Sequence, residues 1–160
     1  MLKVLYEDDE ILVVIKPAGV ESQAAKRFAP DMVSEVKKHL VINKSCTPGK
    51  EPYVGVIHRL DRPVSGIMVY ARNQKAAASL SSLMQQGKME KWYKAVVCGK
   101  PVDNHGVYVD YLRQNQGENR SEIVDKSAAG SKRAELSYTA EASTERCDAG
   151  ESREYSLVRI

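Results

Sequence analysis

Short apolar runs separated by polar turns dominate this chain, and most carry the period of two expected of strands. Residues 2–6 and 11–15 flank an acidic turn, Glu7-Asp8-Asp9-Glu10, and predict a hairpin closed by Lys16-Pro17-Ala18-Gly19. A helical period follows over residues 32–42, where Val33, Val36, Leu40 and Val41 form one stripe and Asp31 suits the N-cap. After a Pro- and Gly-rich loop at residues 47–52, two strands are predicted at 53–57 and 67–71, flanking a polar loop from His58 to Gly66. Asn73 caps a second helix over residues 74–86, with Ala76, Leu80, Leu83 and Met84 on one face and Gly87 at its C-terminal end. Residues 91–98, 106–112 and 134–142 then predict strands, and Ala134, Leu136, Tyr138, Ala140 and Ala142 alternate cleanly. The stretch between, residues 113–133, is rich in Gln, Asn, Gly and Ser and predicts a mobile connection. Residues 153–160 begin one more strand and end inside it. Strands outnumber helices, and several adjoin in sequence. The pattern therefore predicts an α+β fold, a mainly antiparallel mixed sheet with flanking helices.

Length and composition narrow this further. At 160 residues, 42% hydrophobic and 28% charged, the chain has the balance of one ordinary globular domain. Its longest apolar run, Ile11 to Ile15, falls far short of the ~20 residues of a membrane helix. The acidic residues at 7–10 stand where the apolar core of a secretory signal would begin. Cys46, Cys98 and Cys147 are odd in number and widely spaced, which fits neither a disulfide framework nor a zinc site and points to the reducing cytoplasm. The net charge of +3 is unevenly spread: residues 51–100 hold eight Lys/Arg against three Asp/Glu, whereas residues 101–160 hold eight against eleven. A basic middle third is compatible with an anionic partner such as nucleic acid.

The densest polar cluster is His58-Arg59-Leu60-Asp61-Arg62-Pro63-Val64-Ser65-Gly66. It sets one carboxylate between two guanidinium groups on a loop constrained by Pro63 and Gly66. Adjacent arginines favour an ionised carboxylate, so Asp61 is expected to be charged at neutral pH. A structural Arg–Asp pair bracing a turn explains the same residues. A protein-kinase catalytic loop does not: Leu60 intervenes between Arg59 and Asp61, and no Asn lies four residues beyond Asp61.

Four ordered segments resemble the RluA-type RNA pseudouridine synthases. They are Tyr6-Glu7-Asp8-Asp9-Glu10-Ile11-Leu12-Val13-Val14 with Lys16-Pro17-Ala18-Gly19; Gly55-Val56-Ile57-His58-Arg59-Leu60-Asp61-Arg62 with Ser65-Gly66; Glu90-Lys91-Trp92-Tyr93-Lys94-Ala95 with Gly99; and Ala134-Glu135-Leu136-Ser137-Tyr138. The resemblance implies that Asp61 is the catalytic carboxylate, that Arg59 helps displace the target uridine from its stack, and that Tyr93 packs against the base. Arg62 is placed with Arg59 and Tyr93 among the substrate-binding residues. It further implies an isomerase acting on ribosomal or transfer RNA in the cytoplasm, with no cofactor, no metal and no obligatory protein partner. His39, His58 and His105 lack ligand spacing with cysteines.

Two departures accompany the likeness. Val64 stands where the family usually has Thr, which removes a hydroxyl able to brace the loop. The family also continues past the strand matching residues 157–160 into a Thr-Gly-Arg…His-Gln-Ile-Arg stretch carrying a basic partner for the aspartate. The expectation is thus a catalytic domain at residues 1–160 that lacks the family's C-terminal part and any S4-type domain. The alternative is a noncatalytic RNA-binding module of the same fold.

Overall fold

The structure, a computed structural model, describes residues 2–24, 31–43, 49–115, 117, 120–148 and 151–160. The chain divides into two compact units, residues 1–90 and 91–160.

In the first unit, strands β1 (Lys3–Glu7) and β2 (Ile11–Lys16) form the expected hairpin. The Asp8 carboxylate closes its turn by accepting the N–H groups of Glu10 and Ile11. Helix α1 (Met32–Ile42), strands β3 (Gly55–Val56) and β4 (Gly66–Ala71), and helix α2 (Gln74–Gln85) complete the unit. Its sheet has the order β1-β2-β4-β3, with every pair antiparallel. The register sets Leu12 opposite Tyr70 and Val14 opposite Met68. These four side chains, with Met32, Val36 and Leu40 of α1, form a core in which none is more than 2% exposed. The i, i+4 spacing on α1 explains that packing. Val41, which the helical stripe included, is 55% exposed because it projects about 100° away from Leu40.

Both predicted N-caps are present. Asp31 accepts the Ser34 N–H at 2.6 Å and Asn73 accepts the Ala76 N–H at 2.8 Å. Gly87, at φ 66°, ends α2: its N–H reaches the Met84 carbonyl and that of Lys88 reaches Leu83, the pairing of a Schellman cap. On α2 only Ala76 is buried, and Leu83 is exposed. The strand predicted at 53–57 contracts to two residues, because β3 pairs with β4 only through Ala71 and Tyr70. The loop at 47–52 lies partly outside the described residues.

The second unit is a five-stranded antiparallel sheet of order β5-β9-β8-β6-β7. Its strands are β5 (Lys94–Cys98), β6 (His105–Asn115), β7 (Arg120–Ile123), β8 (Lys132–Asp148) and β9 (Glu151–Arg159). The stretch expected to be a mobile connection is instead strand over much of its length. Residues Leu112–Asn115 of β6 pair with β7, and an Arg113–Glu122 ion pair at 2.8 Å spans them. Its polar composition hid it, since a hairpin exposed on both faces needs no apolar alternation. The clean alternation of β8 ends at Ala140: a bulge at Glu141 sets Ala140 opposite Val158 and Ala142 opposite Leu157, on the other face.

Candidate functional site

Strand β2 explains how the site begins. Leu12, Val14 and Lys16 share its core-facing side, so Lys16 is carried into the interior and is 0% exposed. A buried ammonium requires partners. Lys16 Nζ donates to the carbonyls of Val20 at 2.7 Å, Pro17 at 3.1 Å and Arg62 at 3.3 Å. Burial pushes its pKa below the ordinary lysine value, while the nearby Asp61 carboxylate acts in the opposite direction.

The third of those carbonyls belongs to the polar loop. The loop is stitched to residues 16–22 on both sides of Asp61. The Gly19 N–H donates to the Arg62 carbonyl at 2.7 Å, and Arg62 Nε returns a bond to the Gly19 carbonyl at 3.1 Å. On the other side, Ser22 Oγ bonds the backbone of Leu60. The Val64 N–H closes a turn onto the Asp61 carbonyl at 3.0 Å, so backbone bonding braces the loop where Val64 has no hydroxyl. His58 ties the start of the loop to β4 by accepting the Val69 N–H on Nε2 at 3.2 Å, which requires that nitrogen to carry no proton.

The outcome is an open cleft of about 530 Å³ lined by Glu21, Ser22, Gln23, Arg59, Leu60, Asp61 and Arg62. Arg59, Asp61 and Arg62 are exposed. Among the described residues no salt bridge joins Asp61 to either arginine, so the braced-turn reading by an Arg–Asp pair does not describe this loop. The bracing runs through the backbone. Arg62 has a structural duty that sequence alone did not indicate, its Nε being spent on Gly19.

Three of the four expected site residues therefore share one cleft. Tyr93 belongs to the second unit, immediately before β5, where its N–H and carbonyl both pair with Ile160 at 2.8 Å and its side chain is 41% exposed. Beside it in sequence, the exposed Trp92 ring carries the Arg159 guanidinium 5.2 Å from its centroid. Arg159 and Lys94 flank Glu141, whose carboxyl the Lys94 hydrogen bond draws below its ordinary pKa. This unit also has an apolar cavity of about 340 Å³, walled in part by Tyr108, Leu136, Tyr138 and Val158.

Lys16 and Ser22 were not singled out from the sequence as site residues. A signal for Lys16 was present: the period of two in β2 places it on the face of Leu12 and Val14, where a lysine must be paired. Ser22 carried no comparable signal, because its partner lies 38 residues away.

A loop that presents an exposed carboxylate in an open cleft, on an α+β scaffold of two antiparallel sheets, defines a class that comparison with known proteins identifies. The family model described as RNA pseudouridylate synthase matches residues 10–160, and the chain belongs to that family. Ribosomal large subunit pseudouridine synthase D of Zymomonas mobilis is 31% identical over 139 residues, covering 86% of this chain and 43% of the relative. The tRNA pseudouridine synthase C of Vibrio parahaemolyticus is 29% identical over 149 residues, covering 87% and 52%. Human RNA Pseudouridylate Synthase Domain Containing 4 shares the fold with a TM-score of 0.71 at 17% identity, over 98% of this chain and 57% of that one. The chain thus spans about half the length, or less, of these curated relatives.

Proposed function

We propose that this chain acts on RNA as a pseudouridine synthase, an isomerase with Asp61 as its catalytic carboxylate. The observation that carries the reading is the placement of Asp61: an exposed carboxylate in an open cleft, between two neighbours each bonded to the 16–22 loop. The relatives' names supply the substrate class, ribosomal or transfer RNA.

The reaction breaks the C1′–N1 bond of uridine, turns the uracil and joins C1′ to C5; C5 gives up a proton and N1 gains one, with no net redox change. An ionised carboxylate near C1′ serves as nucleophile toward the sugar or as base toward a sugar proton. Neither role calls for a cofactor or a metal. The base must first leave its stack, at a cost of a few kcal/mol. Arg59, exposed beside Asp61, fills the vacated space, Tyr93 packs against the uracil, and Arg62 meets the RNA backbone with whatever donors Gly19 leaves it. The basic excess of residues 51–100 favours phosphate contact. The odd, widely spaced cysteines favour the cytoplasm as its site of action. Among the described residues no helix is long and apolar enough to cross a membrane.

The test is to map pseudouridines in ribosomal and transfer RNA from cells lacking the gene, then restore either the wild-type gene or Asp61→Asn. A uridine that is converted with the wild type and stays unconverted with Asp61→Asn is the expected result. No change on deletion overturns the enzyme assignment, and full rescue by Asp61→Asn overturns the role of Asp61.

A further inference from the structure

We infer that Ser22 is a positioning residue for Asp61, setting the pitch of the loop that presents the carboxylate. This rests on the reading of Asp61 given above. Ser22 is 4% exposed. Its Oγ donates to the Leu60 carbonyl at 2.6 Å and accepts the Leu60 N–H at 3.0 Å. One hydroxyl therefore engages both polar backbone groups of the residue preceding Asp61. A hydroxyl oxygen can donate and accept at one atom, and Ser presents it with the least bulk.

The clamp is referred to the core and not to another loop. The Tyr70 hydroxyl shares its proton between the Ser22 carbonyl at 3.4 Å and the Met68 sulfur at 3.5 Å, and Tyr70 is 0% exposed in the first unit's core. Desolvation holds the Tyr70 phenol far above its ordinary pKa, so it stays a donor. A continuous path thus runs from Tyr70 in β4, through Ser22, to Leu60. On the far side of Asp61, Arg62 is fixed to Gly19. An exposed carboxylate held from its own backbone takes its position from these two anchors. Misplacement of a reacting group by ~1 Å costs about 100-fold in rate.

Ser22→Ala removes the clamp and keeps the fold's volume nearly unchanged. Expected is a kcat lower by about 10- to 100-fold with KM within about twofold, measured on a transcript carrying the mapped uridine. The Leu60 amide should exchange with deuterium about 5- to 10-fold faster, while amides of β2 and β4 keep wild-type rates. Ser22→Thr, which keeps the hydroxyl, should recover most of both effects. Wild-type kcat or wild-type Leu60 exchange in Ser22→Ala overturns the inference. So does exchange that quickens equally across the whole unit, the mark of a general loss of stability. Should the wild-type chain leave uridine unconverted, the enzyme reading fails by itself, and Leu60 exchange in Ser22→Ala alone decides whether the clamp exists.

Discussion

Replacing Lys16 by Met separates two opposed effects where β2 meets the polar loop. Removing the ammonium relieves the burial cost that depresses its pKa. It also takes the donor from three carbonyls, those of Pro17, Val20 and Arg62. The Arg62 carbonyl keeps the Gly19 N–H, so two of the three lose the larger share. At about 1 kcal/mol for each lost bond, with more where an acceptor is stranded in the interior, the loss is ~2–3 kcal/mol. Methionine fills nearly the same volume with an unbranched chain, so little cavity cost is added. The relieved desolvation offsets part of the loss, leaving a net destabilisation of about 2 kcal/mol. For a chain of this size that lowers Tm by about 4–8 °C. The assay is thermal unfolding at neutral pH, repeated toward pH ~10.5. A folded pKa below the unfolded one means that the unfolded chain binds the proton more tightly, so wild-type stability gains from this group as pH rises toward the ordinary lysine value. The gap between wild type and Lys16→Met should therefore widen with pH. A variant as stable as wild type at neutral pH would show that desolvation outweighs the three bonds, and a gap independent of pH would show that Lys16 titrates normally.

Two further perturbations test the scaffold. Burial works to raise the Asp31 carboxyl, but the N–H donors of Ser34 and Ala24 outweigh it and hold the pKa below 3.8; its stabilisation is present above that value and fades as pH falls through the lowered one. Asp31→Asn should cost about 1 kcal/mol at neutral pH and flatten the acid limb of the stability curve, and parallel curves would refute this. In the second unit, a Cβ on Gly106 would stand 2.7 Å from Cε1 of Tyr138, whose ring stacks on Tyr108 with centroids 5.4 Å apart. Gly106→Ala should therefore cost ~1–2 kcal/mol and alter the near-ultraviolet circular dichroism of the tyrosines, and an unchanged spectrum would show that the ring stays in place.

What could be read from the sequence followed from how local its cause was. Both N-caps and the Schellman glycine depend on at most six consecutive residues and the hairpin on two neighbouring runs, and each is where its pattern placed it. The long antiparallel hairpin of β8 and β9 exceeds its predicted limits at its turn end because Thr144, Arg146 and their partners are held by backbone pairing and need no apolar face. The bulge at Glu141 was silent for a different reason: composition cannot mark an extra residue whose polar side chain suits an exposed face, and only the partner strand reveals it.

The same distinction runs through the site. Nine consecutive residues, His58 to Gly66, contain Arg59, Asp61 and Arg62, so the proposed catalytic carboxylate and its arginines were legible together. Their geometry is imposed from elsewhere. Every bond that fixes Leu60 and Arg62 on the 16–22 loop comes from residues 38 to 46 positions earlier in the chain. Two of those anchors, the Lys16 ammonium and the Ser22 hydroxyl, are buried polar groups, and the interior leaves them few alternatives to the backbone atoms they hold. Asp61 itself is exposed. Rigidity is thus built into the residues on either side of the carboxylate, while the carboxylate stays open to solvent. Substitutions at Gly19 or Ser22 should accordingly act on the placement of Asp61 while leaving the charged groups beside it in place.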